Sequence, residues 1–206
     1  MKILVEPVGP ETQAAAAHIR NQVFEREWNC GMEDVGACSA EGALHLIARC
    51  EKTGNPVGTL SVVETTGDVS VHANFHLHFR NRTRVARYTQ LAVLPTHRGL
   101  NIPYLLMLEA RRRYVIPQRF HHTWLLLPAA RARSSRFPEL FGFQVNSRVF
   151  DTVLGRVCVL VRDEQVGATG IVEISPFVSN AFCAERCAGL NAINSIPCGS
   201  LASQSR

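Results

Sequence analysis

The stretch Tyr88 to Ala110, YTQLAVLPTHRGLNIPYLLMLEA, constrains this chain more than any other. Tyr88 to Leu94 is an apolar extended run, with Leu91 and Val93 on one face and Ala92 and Leu94 on the other. Pro95 stops it, and Thr96 to Asn101 is a short polar turn. Pro103 suits the first turn of a helix, where a missing N–H is no loss. Leu105, Leu106, Met107 and Leu108 fill that helix, and Arg111, Arg112 and Arg113 end it favourably for its dipole. Strand, tight basic turn and helix follow in that order. A helix N-terminus offers free N–H groups and a positive dipole end, which together bind phosphate. Arg98 and Gly99 sit just before it: glycine lets backbone approach an anion, and arginine adds a bidentate contact. The same residues also read as an ordinary strand–loop–helix with a surface arginine.

Composition narrows the class. A chain of 206 residues, 46% hydrophobic and 19% charged, builds a substantial core as one globular domain. No apolar run reaches the roughly 20 residues of a membrane span. The apolar segment in MKILVEPVGP is too short for a secretory signal, so a cytoplasmic location is expected. The net charge is +5, and only Lys2 and Lys52 are lysines. That excess suits phosphate-bearing cofactors or an acidic carrier protein. The arginines are scattered, apart from Arg80, Arg82, Arg84, Arg87 and Arg111 to Arg113, and no nucleic-acid module is present, so nucleic acid is not the expected partner. The seven cysteines are read as free thiols. Cys30, Cys38, Cys50 and Cys158 are packing residues, while Cys183, Cys187 and Cys198 in the tail lack the fourth ligand of a structural zinc site, so no metal is expected.

Along the chain, Lys2 to Val8 reads as a strand and Glu11 to Glu27 as a helix with an apolar stripe through Ile19, Val23 and Phe24. Asn29 to Gly42 is a long loop carrying Glu33 and Asp34. Leu44 to Cys50 and Val57 to Glu64 form a hairpin. Val69 to Phe79 and Val85 to Leu94 both look extended. After the helix Ile102 to Tyr114, His122 to Leu127 is a short buried strand. Ala129 to Phe141 is mostly helix, bent or broken at Pro138, Gly142-Phe143 starts a turn, and Phe150 to Val161 supplies the last strand or strands. Residues 164–206, rich in Ser, Ala, Gly, Asn and Cys, form an extension. Ile171 to Val178 could add a strand and Asn180 to Leu190 a helix, with disorder over Ser195 to Arg206.

LAVLPTHRGLNIPYLLMLEA resembles the coenzyme A-binding strand, loop and helix of the GNAT N-acyltransferase superfamily. That loop usually runs Arg/Gln-x-x-Gly-x-Gly/Ala. Arg98 stands at its first position, while Asn101 and Pro103 stand where the two small residues are usual. Three further segments resemble the superfamily in the right order: IRNQVFEREWNCGMEDVG (Ile19 to Gly36), HLIARCEKTGNPVGTLSVVE (His45 to Glu64) and ELFGFQV (Glu139 to Val145). The Arg20-x-x-x-Phe24 pattern, with Trp28, Glu33 and Asp34 behind it, also resembles acyl-homoserine-lactone and long-chain N-acyl amino acid synthases, which commonly take their acyl group from acyl carrier protein.

The resemblance implies an α/β fold, a mixed and mostly antiparallel central sheet flanked by helices, forming an acyltransferase domain over residues 1–163. It implies transfer of an acyl group from a thioester to a primary amine, with acyl-CoA as cosubstrate or acyl carrier protein as the alternative donor. A binding domain that keeps the fold without catalysis stays open. So does a homodimer. By the match, main-chain groups of Leu91 and Val93 hold the pantetheine arm and stabilise the oxyanion, and Arg98, Gly99, Leu100, Asn101 and Ile102 face the phosphates. The superfamily's catalytic glutamate has no counterpart, since Arg87 and Thr89 occupy its alternating positions. Its tyrosine acid, four residues before the Gly-Phe pair, is replaced by Pro138.

The substitute base suggested by the residues is the row His72, His76 and His78. Even spacing on a strand puts all three on one face, and imidazole titrates near neutral pH. The same row also reads as a solvent-facing polar edge. Glu33 and Asp34 either bind the amine substrate or belong to a solvated loop. Tyr88 reads as a packed aromatic.

Overall fold

The computed structural model describes residues 1–30, 42–80, 82–152 and 154–164. Glu33, Asp34, Cys38 and the strand, helix and disorder expected in the tail lie outside them. In chain order the elements are β1 (Ile3–Pro7), α1 (Pro10–Asn21) running into a π-helical turn (Gln22–Glu27), β2 (Leu44–Cys50), β3 (Pro56–Glu64), α2 (Val69–Asn74) and β4 (Val85–Val93). A 3-10 turn (Pro95–His97) leads to α3 (Ile102–Ala110), which ends in a π-helical turn (Arg111–Val115). Then come β5 (His122–Pro128), α4 (Ala129–Ser134), α5 (Phe137–Phe141), β6 (Gln144–Thr152) and β7 (Gly155–Asp163).

The seven strands form one sheet in the order β1-β2-β3-β4-β5-β7-β6. Every neighbouring pair is antiparallel except β4 and β5, which run parallel. The α/β class and the mixed, mostly antiparallel sheet flanked by helices are as the sequence suggested. Burial on both faces explains the continuous apolar runs of β3 and β4. One face packs Leu46, Leu60, Tyr88 and Leu160 against Ile102, Leu106 and Ala110 of α3. The other packs Ala92 against Ile19, Val23 and Phe24 of α1 and its π-helical end.

One local feature seats α3 on the sheet. Gly58 of β3 lies beneath the first turn of α3, where a Cβ would stand 2.9 Å from Ile102 Cγ2 and 3.2 Å from the Ala92 carbonyl oxygen. The absent side chain is therefore what lets the helix N-terminus reach the strands. Beyond β5, the helix expected from Ala129 to Phe141 is two helices. The break falls at Ser135 and Arg136, and Pro138 takes an early position in α5, where its missing N–H costs nothing.

Val69 to Phe79 is not a strand. Val69–Asn74 is α2, Phe75 and His76 turn out of it, and His76 has φ +51. The alternation of Val69, Val71, Ala73, Phe75, Leu77 and Phe79 imitates a half-buried strand. Asp68 decides otherwise: its carbonyl accepts the His72 N–H at 3.1 Å, closing the helical turn, and its carboxylate accepts the Ser70 hydroxyl at 2.9 Å. The later apolar residues pack, with Phe75, Leu77 and Phe79 meeting Val85, Trp124 and Val159.

Candidate functional site

The parallel pair is joined only at its start. Val85 pairs with His122, Ala86 with Thr123 and Arg87 with Trp124. Beyond these, β4 runs on to Val93 held by β3 alone, and β5 runs on to Pro128 held by β7 alone. A cleft therefore opens between the strands toward their C-terminal ends.

Just past the last pair, β4 bulges. Ser61 lies opposite Thr89 and Thr59 opposite Ala92, so Gln90 and Leu91 together face Leu60. Gln90 has φ +52, in the left-handed region that a residue with a Cβ rarely enters. The extra residue changes which side chains share a face. Tyr88, Leu91 and Val93 all meet the α3 side, whereas Ala92 meets α1. The faces expected for Leu91, Ala92 and Val93 are thus as found, and Tyr88 is a packed aromatic: it is buried and its ring lies edge-on to Phe143. Burial, and next the Glu164 carboxylate, push its pKa up.

The Arg98 turn crosses the end of β4. Gly99 has φ +83. Asn101, standing where the superfamily has glycine, has φ +57, and asparagine is among the few other residues that enter this conformation readily. The turn therefore takes a left-handed residue here without a second glycine. Asn101 precedes α3, Ile102 is its fully buried first residue, and Pro103 is its second. The Leu105 N–H bonds the Asn101 carbonyl at 3.1 Å.

Arg98 is held from two sides. Its Nε donates to the Val93 carbonyl at 3.2 Å, and its Nη2 donates to Glu27 Oε2 at 2.5 Å. Across the cleft, Arg131 sits on α4, the helix that follows β5. Burial first, and then repulsion by the Arg98 charge, lower its pKa. Two guanidinium groups thus come from the two strands' C-terminal ends. Tyr104, in the first turn of α3, has its ring 4.7 Å from that of Phe141 in α5, the helix that carries Pro138, and burial raises its pKa.

The histidines do not converge on this cleft. His72 is buried beside the closed end, its ring 6.2 Å from Trp124, and burial lowers its pKa against the Asp68 charge. Its Nε2 lies 3.2 Å from Thr65 Oγ1, which also accepts the Trp124 indole N–H at 3.1 Å. His76 is exposed, its ring 5.7 Å from Phe150, and His78 is exposed on the segment after α2. The basis for grouping them, a shared strand face, is absent because the strand is absent. His72 is a core histidine.

Sequence reasoning missed a buried chain across three strands. His45 Nδ1 lies 2.9 Å from Ser61 Oγ, and Ser61 Oγ donates to Gln90 Oε1 at 3.1 Å. The hairpin register, which sets His45 opposite Ser61, was the signal available. Among the described residues no cluster of His, Cys, Asp or Glu has the arrangement of a metal site. A cavity of about 680 Å³ lined by Arg84, Gln118, Phe120 and His121 lies at the N-terminal ends of β4 and β5, away from the Arg98 turn.

No protein-family model and no curated protein matches this sequence. Solved structures do match. FeeM, an N-acyl amino acid synthase from uncultured soil microbes, superposes with a TM-score of 0.64 at 14% identity, over 79% of this chain and 91% of its own. An acyl-CoA N-acyltransferase from Pseudomonas aeruginosa gives 0.57 at 16% identity, over 78% and 98%. NAA60 of Arabidopsis thaliana, solved in complex with acetyl-CoA, gives 0.57 at 11% identity, over 80% and 99%. The fold is that of the GNAT N-acyltransferases.

Proposed function

We propose that the protein is a GNAT-type N-acyltransferase that moves an acyl group from an acyl thioester, acyl-CoA, to a primary amine. The observation that carries this reading is the parting of β4 from β5 after Arg87 and Trp124, beside a bulge and beneath the Arg98 turn. A pantetheine arm entering this cleft meets main-chain groups of Leu91 and Val93 that have no β5 partner. Its phosphate meets Arg98, Gly99, Leu100, Asn101 and Ile102 at the N-terminus of α3, with Arg131 on the opposite rim.

The acceptor nitrogen attacks the thioester carbonyl carbon. The N–C bond forms, the C–S bond breaks, and the thiolate leaves. Negative charge grows on the carbonyl oxygen, where a main-chain N–H of the open strand stabilises it. The attacking nitrogen loses a proton to water, because Arg87 and Thr89 stand where a glutamate base is usual. Tyr104 donates the proton that the thiolate takes. Burial keeps its phenol protonated, and it faces the helix in which Pro138 replaces the usual tyrosine.

Pro103 favours a second reading of the donor. It has no N–H, so α3 offers one donor fewer to a diphosphate. The phosphodiester of an acyl carrier protein needs fewer donors.

The test is a thermal-shift titration with coenzyme A, acetyl-CoA, a long-chain acyl-CoA and an acylated carrier protein, followed by thioester turnover with a panel of amines. A ligand at about 100 times its Kd adds roughly 2.7 kcal/mol of stability. Stabilisation by a CoA species supports the first reading, and response to carrier protein alone supports the second. Binding without turnover by any amine would make this a non-catalytic binding domain.

A further inference from the structure

The bulge in β4 is built from an unfavourable conformation. Gln90 is not glycine, yet it has φ +52 and is only 4% exposed. A residue with a Cβ enters the left-handed region at a steric cost, so its surroundings must hold it there. The side chain supplies that hold: Gln90 Oε1 accepts the hydroxyl of Ser61, itself fully buried, at 3.1 Å.

The direction of the chain follows from the number of protons. A serine hydroxyl has one proton, and Ser61 gives it to Gln90. The contact at 2.9 Å between Ser61 Oγ and His45 Nδ1 must then use a proton on the imidazole. The order this contact pattern suggests, which the experiment below tests, is His45 Nδ1–H to Ser61 Oγ, then Ser61 Oγ–H to Gln90 Oε1. Hydrogen bonds in such a chain polarise one another and strengthen in a buried setting. The chain is anchored in the ladders, because His45 pairs with Ser61 and Ser61 with Thr89. It reaches from β2 to the bulge, and the bulge lies three residues past the last β4–β5 pair.

We propose that His45 and Ser61 are positioning residues, which lock Gln90 so that the bulge aims the main chain of the open strand at the thioester carbonyl. The inference rests on the acyltransferase reading for its consequence and on the hydrogen-bond chain for its geometry. Neither residue is placed in contact with the donor or the amine. Loss of the Ser61 bond weakens the hold on the left-handed Gln90, and a shift of its backbone toward an extended conformation moves the N–H that meets the oxyanion. Misplacement of about 1 Å is enough to cost about a hundredfold in rate.

The experiment joins a resting-state readout to kinetics. Nitrogen-15 NMR of the full chain should show His45 protonated on Nδ1, and that signature should be lost in Ser61→Ala. In turnover assays, Ser61→Ala and His45→Phe should lower kcat by about tenfold to a hundredfold, with KM for the donor changed by less than about twofold. Ser61→Thr, which keeps the hydroxyl, should restore kcat. An Nε2-protonated neutral His45 in the wild type overturns the chain, whatever the protein catalyses. Wild-type kcat in Ser61→Ala, or a parallel loss of donor binding and kcat that Ser61→Thr does not rescue, overturns the positioning role. Absence of turnover in the wild type would defeat the acyltransferase reading and with it the catalytic role, while the NMR result would still decide the chain.

Discussion

Strand β4 contains two regions of similar composition and different use. Val85 to Arg87 is paired on both sides, to β3 and to β5. Tyr88 to Val93 is paired on one side only. In the closed region, polar groups are spent on structure. The Arg87 guanidinium lies 4.8 Å from the centre of the Trp124 ring, and Thr65 serves both Trp124 and His72. In the open region, polar groups cluster where the ladder is missing: the bulge at Gln90, the Arg98 turn and the N-terminus of α3. The number of neighbours a strand segment has, rather than its own hydrophobicity, separates scaffold from candidate site here.

Five substitutions break or sharpen that contrast. The largest effect belongs to the closed region, where Trp124→Ala should destabilise the protein by about 3–5 kcal/mol. A denaturation midpoint close to wild type would deny the closed end its structural role. In the open region, Tyr104→Phe should lower turnover about a hundredfold with donor affinity kept, and undiminished kcat would remove the phenol from the chemistry. Arg98→Glu should weaken donor binding at least about tenfold, as expected for reversing a charge-assisted contact, and should also lower the melting temperature somewhat, because it sets a second carboxylate beside Glu27. Unaltered affinity in titration calorimetry would detach the turn from the cleft.

Pro103→Ala supplies the missing N–H. It should tighten coenzyme A by an ordinary hydrogen bond, ~1 kcal/mol, and leave carrier-protein binding alone. Equal gains for both would show that the donors' phosphates are not distinguished there. The smallest effect concerns His72. Burial lowers its folded pKa below the ordinary 6.5, so the unfolded chain binds the proton first as pH falls. Its contribution is present above about pH 6.5 and declines on acidification through the folded pKa. Melting curves from pH 7 to 5 should therefore fall less steeply in His72→Gln, and identical slopes would contradict a buried neutral ring.

Much of this was legible in the residues. Pro95, Gly99 and Pro103 mark the strand end, turn and helix start correctly because each acts on its own backbone. The β2–β3 hairpin and the short β5 were equally local. The histidine segment misled because alternation of side chains says nothing about which backbone bonds form, and the helical turn at Asp68 is a backbone choice. Arg131, Tyr104 and the His45–Ser61–Gln90 chain were hidden for a different reason. Each depends on a partner far along the chain, and the Gln90 bulge shifts the register by one residue that no local pattern announces. The proximity of Tyr104 to the helix carrying Pro138, 34 positions later, could be found only from the contact between α3 and α5.

The three-pair attachment of β4 to β5 has a mechanical meaning. Along its backbone ladder the sheet is two rafts, β1 to β4 and β5 to β6, moored by a short seam at one end. Under tension, the seam is where the ladder would part first. A molecule lying in the cleft and bonding both strands would extend that mooring along the whole edge. Amide exchange along Tyr88 to Val93 would then slow when the cleft is occupied, so that the rafts themselves report the cargo.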